Sequence, residues 1–205
     1  MMSISERRVR RLMTTEMEYE AKSLLTKEEY EQLQHVLGKK QPLTQRNEYF
    51  DTQAFHLKDK TAALRIRTKE GKAVLTLKQQ TDEGMVETHQ KLEETDQALF
   101  LSGTLPEGAV KIAIESLLPN TCVFYPYGQL TTHRITYPYK DGLLCLDHSE
   151  YNHREDYEIE YEGTSMIQAV EVLTELLHQQ QITCKPAANK VARFFSTSPH
   201  FTDSN

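Results

Sequence analysis

The sequence contains no tryptophan, only eight glycines and only three cysteines among its 205 residues. The cysteines Cys122, Cys145 and Cys184 are far apart and form no CxxC pair, so we expect reduced, buried thiols in a cytoplasmic protein. No glycine-rich phosphate loop and no nucleophilic triad can be recognised. These absences argue against a P-loop enzyme and against a hydrolase that uses a serine or cysteine nucleophile.

Long apolar runs are missing as well, since none approaches the roughly 18 residues that a membrane-spanning helix needs. The arginines within residues 7–11 are not followed by an apolar stretch and a small-residue cleavage site, so they do not indicate a secretion signal. We interpret residues 1–15 as a disordered tail, or as the product of a start codon upstream of Met13. Residues 16–200 are predicted to form a single domain.

Negative charge prevails, with 30 Asp and Glu against 24 Lys and Arg and a net charge of −6. A nucleic-acid-binding protein needs a basic face, so nucleic acid is not an expected partner, and neither is a membrane. Any site for an anion must therefore be built locally from a few basic residues. The expected partner is a small molecule, bound by a monomer or a homodimer.

Most of the chain alternates polar and apolar residues with period two, which predicts β-strands. The predicted strands cover residues 16–23, 45–51, 63–69, 73–79, 84–91, 129–137, 143–148 and 156–162. Tight-turn sequences join several of them, which predicts antiparallel neighbours; they are Glu70-Gly71-Lys72, Asp82-Glu83-Gly84 and Lys140-Asp141-Gly142. The segment around Cys122 to Tyr127 is also strand-like, but Pro126 predicts an edge, a bend or a strand end there.

Helices are predicted in the gaps between the strands. Thr26 and Glu29 form a capping box, and Gly38 ends that helix. Ser165 and Gln168 form a second capping box ahead of a leucine-rich helix, which could cover a sheet or serve as a dimer face. The other predicted helices lie near residues 96–102, 109–118 and 186–195. The fold class is therefore α+β.

Nearly every predicted strand is charged on one face and apolar on the other. The usual explanation is an open sheet whose charged face is solvated. Here, however, the sign of the charge is sorted by strand, with acidic residues at 16–20 and 158–160 and basic residues at Arg65, Arg67 and other positions. We therefore favour a closed eight-stranded antiparallel β-barrel, a tunnel with the charged face inside and helices packed on the outside.

Electrostatics restricts what such a tunnel can hold. Several cations that converge at low dielectric need anions nearby, and acidic side chains alone could supply them in a purely structural network. A basic wall and an acidic wall together also suit a functional site. Arg and Lys bind phosphate oxygens, while paired carboxylates bind Mg²⁺ or Mn²⁺ that bridges to the same phosphates. The pattern therefore favours a divalent cation with a multiply charged phosphate chain.

Glu18-Tyr19-Glu20-Ala21-Lys22 fits the Glu-x-Glu-x-Lys signature of the CYTH superfamily, also called triphosphate tunnel metalloenzymes. Further matches follow in order across residues 16–193, namely Tyr49-Phe50-Asp51-Thr52, Leu64-Arg65-Ile66-Arg67, Leu75-Thr76-Leu77-Lys78, Arg134, Asp147, Glu158-Ile159-Glu160 and Lys190. The chain resembles the bacterial YjbK-like branch most. The resemblance implies a closed eight-stranded tunnel whose members hydrolyse tripolyphosphate, nucleoside triphosphates or thiamine triphosphate, or cyclise ATP.

The resemblance also implies roles for individual residues. The phosphate-binding positions correspond to Arg65, Arg67, Lys78, Arg134, Lys190 and Arg193. The metal-binding carboxylates correspond to Glu18, Glu20, Glu158 and Glu160, with Asp147 near them. Lys22 corresponds to a signature lysine that orients the acidic strand or the substrate, and Glu87 has a plausible inward position. The residues expected to take part in catalysis are Lys22, Glu20, Arg65 and Arg67.

Three functions are compatible with this site. The leading one is a Mg²⁺- or Mn²⁺-dependent triphosphatase acting on inorganic tripolyphosphate or a nucleoside triphosphate. A class IV-type adenylate cyclase and a non-catalytic polyphosphate- or triphosphate-binding protein are the alternatives. The absence of tryptophan weakens a thiamine-specific function, because it removes the indole expected to stack on thiamine in animal thiamine triphosphatases.

Overall fold

A computed structural model describes residues 14–82, 84–119 and 122–197. The predicted tail, residues 1–15, lies outside the described residues except for its last two, which begin the first strand. The chain divides into two compact units. The first consists of Met1–Glu18 and Arg46–Gln129, and the second of Tyr19–Gln45 and Leu130–Asn205.

The described residues form nine strands and six helices. The strands are β1 (Thr14–Glu18), β2 (Glu20–Leu25), β3 (Leu43–Asp51), β4 (Ala62–Lys69), β5 (Lys72–Thr81), β6 (Gly84–Leu92), β7 (Tyr125–Tyr139), β8 (Gly142–Tyr151) and β9 (Arg154–Glu162). The helices are α1 (Lys27–Leu37), α2 (His56–Asp59), α3 (Glu94–Leu101), α4 (Ala109–Leu117), α5 (Met166–Gln179) and α6 (Lys190–Ser196). Every predicted strand is present, and α2 is a short helix that the sequence did not predict. No helix of this described part has an apolar stretch long enough to cross a bilayer.

The predicted first strand, residues 16–23, is interrupted at Tyr19. Its two halves pair with different strands: β1 is antiparallel to β6, and β2 is antiparallel to β9. The Tyr19 carbonyl leaves the ladder and accepts a hydrogen bond from the Gly163 N–H at 2.9 Å. The expectation of eight strands is therefore corrected to nine, because one predicted strand divides between two pairing partners.

Two further boundaries differ from the prediction. β7 begins at Tyr125 and continues through Pro126, where the missing N–H falls at the second residue of the strand. The last helix starts at Lys190, later than the predicted residue 186, because the preceding segment follows β2 in an extended path. There the Leu24 N–H donates to the Lys185 carbonyl at 3.1 Å, and the Lys185 N–H donates to Ser23 Oγ at 2.8 Å.

The first unit arranges its strands in the order β1-β6-β5-β4-β3. The apolar face of β4 and β5 packs with α3 and α4 in one core, whose members include Leu64, Ile66, Leu75, Leu77, Phe100, Val110 and Ile114. Three leucines of this core are fully buried, namely Leu64, Leu75 and Leu77. Burial of each side chain contributes about 1.5–3 kcal/mol to the hydrophobic free energy of folding. Because side chains alternate along a strand, the charged residues of β4 and β5 lie on the opposite face.

The second unit arranges its strands in the order β7-β8-β9-β2. Helices α1 and α5 cover their apolar face in a second core, which includes Leu33, Ile135, Leu144, Leu146, Ile159, Tyr161, Leu173, Leu176 and Leu177. The predicted covering role of the leucine-rich helix is confirmed by these contacts. The alternate residues of these strands therefore lie on the other face of the sheet, and they include Arg134, Asp147, Glu158 and Glu160.

The helix caps agree with the sequence in part. The capping box of α1 is complete, since Glu29 N–H donates to Thr26 Oγ1 and Thr26 N–H donates to Glu29 Oε2. Only half of the second box forms. Gln168 N–H donates to Ser165 Oγ, but the Gln168 side chain accepts from Thr164 N–H at 2.6 Å.

The cysteines are free, as expected, but their predicted burial is wrong for two of them. Cys145 is buried within β8, where desolvation raises the pKa of its thiol to about 12. Cys122 is half-buried, and Cys184 is exposed because it lies in the extended segment before α6.

Candidate functional site

The basic residues of the first unit lie side by side on the charged face of its sheet. Arg65 and Arg67 alternate with buried residues along β4, and in the antiparallel register Arg65 lies opposite Thr76. Lys78 lies opposite Glu87 on the other side of β5. We call Glu18, Arg65, Arg67, Lys78 and Glu87 the basic patch, in which three cations lie with two carboxylates. The structure brings these predicted residues together, as strand alternation required.

Carboxylates neutralise part of this charge. Lys78 Nζ lies 3.0 Å from Glu87 Oε1 and also pairs with Glu18, while Arg65 Nη2 lies 3.4 Å from Glu87 Oε1. Burial disfavours the charged form of Glu87, but Arg65 and Lys78 outweigh that effect and lower its pKa to about 2. Glu87 is therefore ionised at neutral pH. Arg65 Nε is buried and has no hydrogen-bond partner among the described residues, which leaves one donor for a further acceptor.

Two polar neighbours of the basic patch, Asn47 and His89, were not predicted. Arg67 Nε donates to Asn47 Oδ1 at 2.8 Å, which fixes the guanidinium. His89 Nε2 lies 3.2 Å from Glu87 Oε2, and its Nδ1 lies 3.0 Å from Thr76 Oγ1. Residues were selected from the sequence by their charge, so Asn47 and His89 were overlooked. His89 could have been found by parity, since it shares a strand face with Glu87.

Three buried carboxylates form the centre of the charged face in the second unit. Asp147 lies opposite Glu158 in the β8–β9 register, and Glu160 follows two residues later on the same face. Asp147 and Glu158 are 0% exposed and Glu160 is 4% exposed. One oxygen from each lies within 4.8 Å of the others. We call Asp147, Glu158 and Glu160 the acidic trio.

Three predicted phosphate-binding cations contact the acidic trio directly. Lys190 Nζ lies 2.6 Å from Asp147 Oδ2 and 2.7 Å from Glu160 Oε1, and it also pairs with Glu158. Arg134 holds Asp147 through two hydrogen bonds of 2.8 and 2.6 Å and pairs with Glu160 as well. The third cation, Arg193, pairs with Glu158.

Glu158 and Glu160 differ in proton affinity. Burial raises the pKa of Glu158 to about 7, because the neighbouring cations offset only part of the desolvation. For Glu160 burial acts in the same direction, but Lys190 and Arg134 outweigh it and hold the pKa well below its usual value. The carboxylates in turn raise the pKa of Lys190 against the effect of burial, so its ammonium stays charged.

Glu20 and Lys22 join this cluster at its edge. Lys22 lies opposite Glu160 in the β2–β9 register, and its Nζ lies 2.6 Å from Glu20 Oε1 and 3.8 Å from Glu160 Oε1. Glu20, Glu160 and Glu162 form a second group of carboxylates with oxygens within 4.8 Å. The strand break at Tyr19 thus places Glu20 and Lys22 in the second unit and Glu18 in the first.

The donor chemistry of the acidic trio fits a hard divalent cation. Its potential ligands are carboxylate oxygens, which Mg²⁺ and Mn²⁺ prefer, and no thiol or imidazole belongs to either carboxylate group among the described residues. Burial also limits competition from water for those oxygens.

A family model described as the CYTH domain matches residues 16–195. The chain belongs to the CYTH domain family. It is 42% identical over 185 residues to YjbK of Bacillus subtilis (strain 168), a protein named as a candidate triphosphatase, and the match covers 89% of this chain and 96% of that one. The predicted resemblance is confirmed.

Solved CYTH-like structures support the same conclusion. A crystal structure of a candidate adenylate cyclase from Bacillus halodurans is 41% identical with a TM-score of 0.82, covering 88% of this chain and 98% of that chain. HpAC1 of Hippeastrum is a candidate adenylyl cyclase with a dominant triphosphatase activity. It is 25% identical with a TM-score of 0.75, and the match covers 90% of this chain and 99% of that chain. The first likeness confirms the predicted class, an antiparallel α+β barrel fold with helices outside.

Some polar residues of this CYTH chain were missed or assigned no role from the sequence. Asp156 accepts a hydrogen bond from Arg193 Nε at 2.9 Å, and Glu162 Oε1 lies 3.5 Å from Arg134 Nη1. Both share the strand parity of the predicted Glu158, so extending the alternation by one step in each direction would have found them. Asp51, part of the matched Tyr-Phe-Asp-Thr sequence, is buried and accepts backbone N–H bonds from Thr52, Leu57 and Lys58, which gives it a structural role at the start of α2.

Proposed function

We propose that this CYTH protein is a metal-dependent hydrolase of triphosphate substrates, either inorganic tripolyphosphate or a nucleoside triphosphate. The observation that carries the proposal is the acidic trio, three buried carboxylates that converge within 4.8 Å and contact three cations. The names of the YjbK relative and of HpAC1 support triphosphate hydrolysis as the reaction. A cytoplasmic location and a monomeric or homodimeric state stay predictions.

In the second unit the acidic trio and Glu20 are proposed to supply metal ligands, and Glu18 is proposed as a metal ligand in the first unit. A bound Mg²⁺ or Mn²⁺ would polarise phosphate oxygens and neutralise their charge. The trio itself keeps oxygen ligands close together and excludes water from them, since all three carboxylates are buried. Arg134 keeps the Asp147 carboxylate in a fixed orientation through its two parallel hydrogen bonds.

The cations of both units are proposed to bind phosphate oxygens. In the basic patch, the guanidinium of Arg65 retains a buried N–H without a partner among the described residues, and Arg67 is oriented by Asn47. A planar guanidinium matches phosphate geometry, and Lys78 adds a point charge. In the second unit the same role is proposed for Arg134, Lys190 and Arg193. These groups would stabilise charge that develops on the oxygens during phosphoryl transfer.

Glu20 is proposed to accept the proton of the attacking water, and Lys22 is proposed to orient Glu20. Glu20 is half-buried and lies 2.6 Å from Lys22 Nζ, so the lysine orients the carboxylate. An ionised, oriented carboxylate can accept a proton from water as a general base. Arg65 and Arg67 complete the proposed catalytic set by neutralising charge on the phosphates.

The test is a substrate panel with product identification. Tripolyphosphate, ATP, GTP and thiamine triphosphate are incubated with Mg²⁺ or Mn²⁺ from about pH 7 to about pH 10. Orthophosphate release that stops with a chelator is the expected result. The double variant R65A/R67A should lose at least about 100-fold in turnover, and K111A, at an exposed pair with Glu107, should not. Turnover of R65A/R67A within about twofold of wild type would contradict the assignment.

ATP cyclisation is a second candidate, favoured by the name of the Bacillus halodurans relative. It would give cyclic AMP and pyrophosphate from ATP and nothing from tripolyphosphate. The same panel therefore separates the two reactions. Metal-assisted ligand binding without any turnover would indicate the non-catalytic alternative.

A further inference from the structure

The Lys190 ammonium lies where a cation bound by the acidic trio would lie. Its Nζ is 2.6 Å from Asp147 Oδ2 and 2.7 Å from Glu160 Oε1, and it pairs with Glu158 as well. One ammonium thus contacts every carboxylate of the trio. The three carboxylate oxygens lie within 4.8 Å of one another, so the space that they enclose is small.

A cation in this position stabilises the three carboxylates of the acidic trio. Like charges this close repel strongly in a buried environment, and the repulsion falls only when a positive charge lies among them. Arg134 pairs with two members of the trio, Asp147 and Glu160, whereas Arg193 pairs with Glu158 and bonds Asp156 outside the trio. Lys190 is the group that bridges all three members.

We propose that Lys190 is the resident counter-cation of the acidic trio and that a divalent cation binding to the trio displaces its ammonium. An ammonium and a divalent ion sharing the same oxygens would lie a few ångströms apart and repel each other. Lys190 positions the trio before the metal arrives, and its displaced ammonium is then the phosphate-binding cation of the proposed function. The inference rests on the proposed function in taking the trio as the metal site.

The helix that carries Lys190 has anchors of its own. Phe194 is fully buried, Asn152 Nδ2 donates to the Phe194 carbonyl at 3.0 Å, and Arg193 Nε bonds Asp156 at 2.9 Å. The lysine side chain is a flexible four-carbon stem. The ammonium can therefore leave the trio while α6 stays in place.

Metal binding without substrate tests the exchange. Mn²⁺ affinity is measured from the electron paramagnetic resonance signal of free Mn²⁺ for wild type, K190M and K140M; Lys140 is an exposed lysine of the same unit that pairs with Glu175. We expect K190M to bind Mn²⁺ at least about tenfold more tightly than wild type, because the competing charge is gone. K140M should stay within about twofold. The inference would be overturned if K190M bound Mn²⁺ no more tightly than wild type, or if neither wild type nor K190M bound Mn²⁺.

A measurement on wild type covers the case in which K190M does not fold. Lysines labelled with ¹³C at Cε are followed by NMR during a Mg²⁺ titration, and the charge-conserving variant K190R identifies the Lys190 resonance by its absence. We expect that resonance to shift with Mg²⁺, and an unchanged resonance at saturating Mg²⁺ would overturn the exchange. Neither experiment contains substrate, so a protein that exchanges Lys190 for metal but releases no phosphate would contradict the proposed function alone.

Discussion

The substitution Glu87→Gln tests the electrostatics of the basic patch directly. The change keeps the size of the side chain and removes its charge, and Arg65 and Lys78 then lose their shared carboxylate. Those cations lower the pKa of Glu87 from 4.5 to about 2. A shift of this size corresponds to about 3 kcal/mol of folding stability at pH 7, and the side chain is only 5% exposed, so solvent screening is small.

The loss of folding stability in E87Q is expected to depend on pH with a defined sign. The folded pKa lies below the unfolded one, so Glu87 stabilises the fold fully above about pH 5 and progressively less as the pH falls towards 2. The difference in unfolding free energy between wild type and E87Q should therefore fall from about 3 kcal/mol at pH 7 to about 1 kcal/mol at pH 3.

Urea unfolding, followed by circular dichroism at pH 7, 5, 4 and 3, measures this difference. E175Q is the matched control, because Glu175 is exposed and its pair with Lys140 lies at the surface; its loss should stay below about 1 kcal/mol. A difference for E87Q that is the same at every pH would mean that packing or hydrogen bonding causes the loss. That result, or a loss below about 1 kcal/mol at pH 7, would refute the electrostatic reasoning.

Other predictions concern single contacts. D51A should destabilise the protein by about 1–3 kcal/mol, because three backbone N–H groups lose their acceptor, and D51N should recover part of the loss in chemical unfolding. T26A should cost about 1 kcal/mol, since the α1 capping box loses its hydroxyl, and amide exchange should rise in the first turn of α1 only. R134K should lower both stability and metal-dependent turnover, because lysine cannot reproduce the two parallel bonds to Asp147; thermal unfolding with and without Mg²⁺ measures the first effect.

The sequence predicts the faces of the strands well, because alternation is a local property. Leu75 and Leu77 lie in the core while Thr76 and Lys78 lie on the charged face, and the same rule holds for Glu158 and its neighbours. The chemical nature of each charged face follows from this alternation alone.

The strand break at Tyr19 could not be predicted in the same way. The residues on both sides keep a regular alternation, so nothing local marks the position where β1 ends and β2 begins. The break arises because the two halves pair with strands that are far apart in the chain, β6 and β9. Partners separated by more than 60 residues leave no local pattern. The neutral Asn47 was missed for another reason, since a search for charged residues ignores an amide that orients a guanidinium.

The buried charge network of the second unit is not an efficient way to stabilise the fold. Removing charges from water is costly, and buried ion pairs often stabilise a fold no better than apolar residues of the same size. The Arg134, Lys190 and Arg193 cations nevertheless surround carboxylates that are almost completely buried. A purely structural network needs the Lys190 ammonium only as a fixed counter-charge, whereas a binding site also gains a charge that can be exchanged for a metal. Exchange of this charge for a metal is the role that we propose for the buried acidic trio.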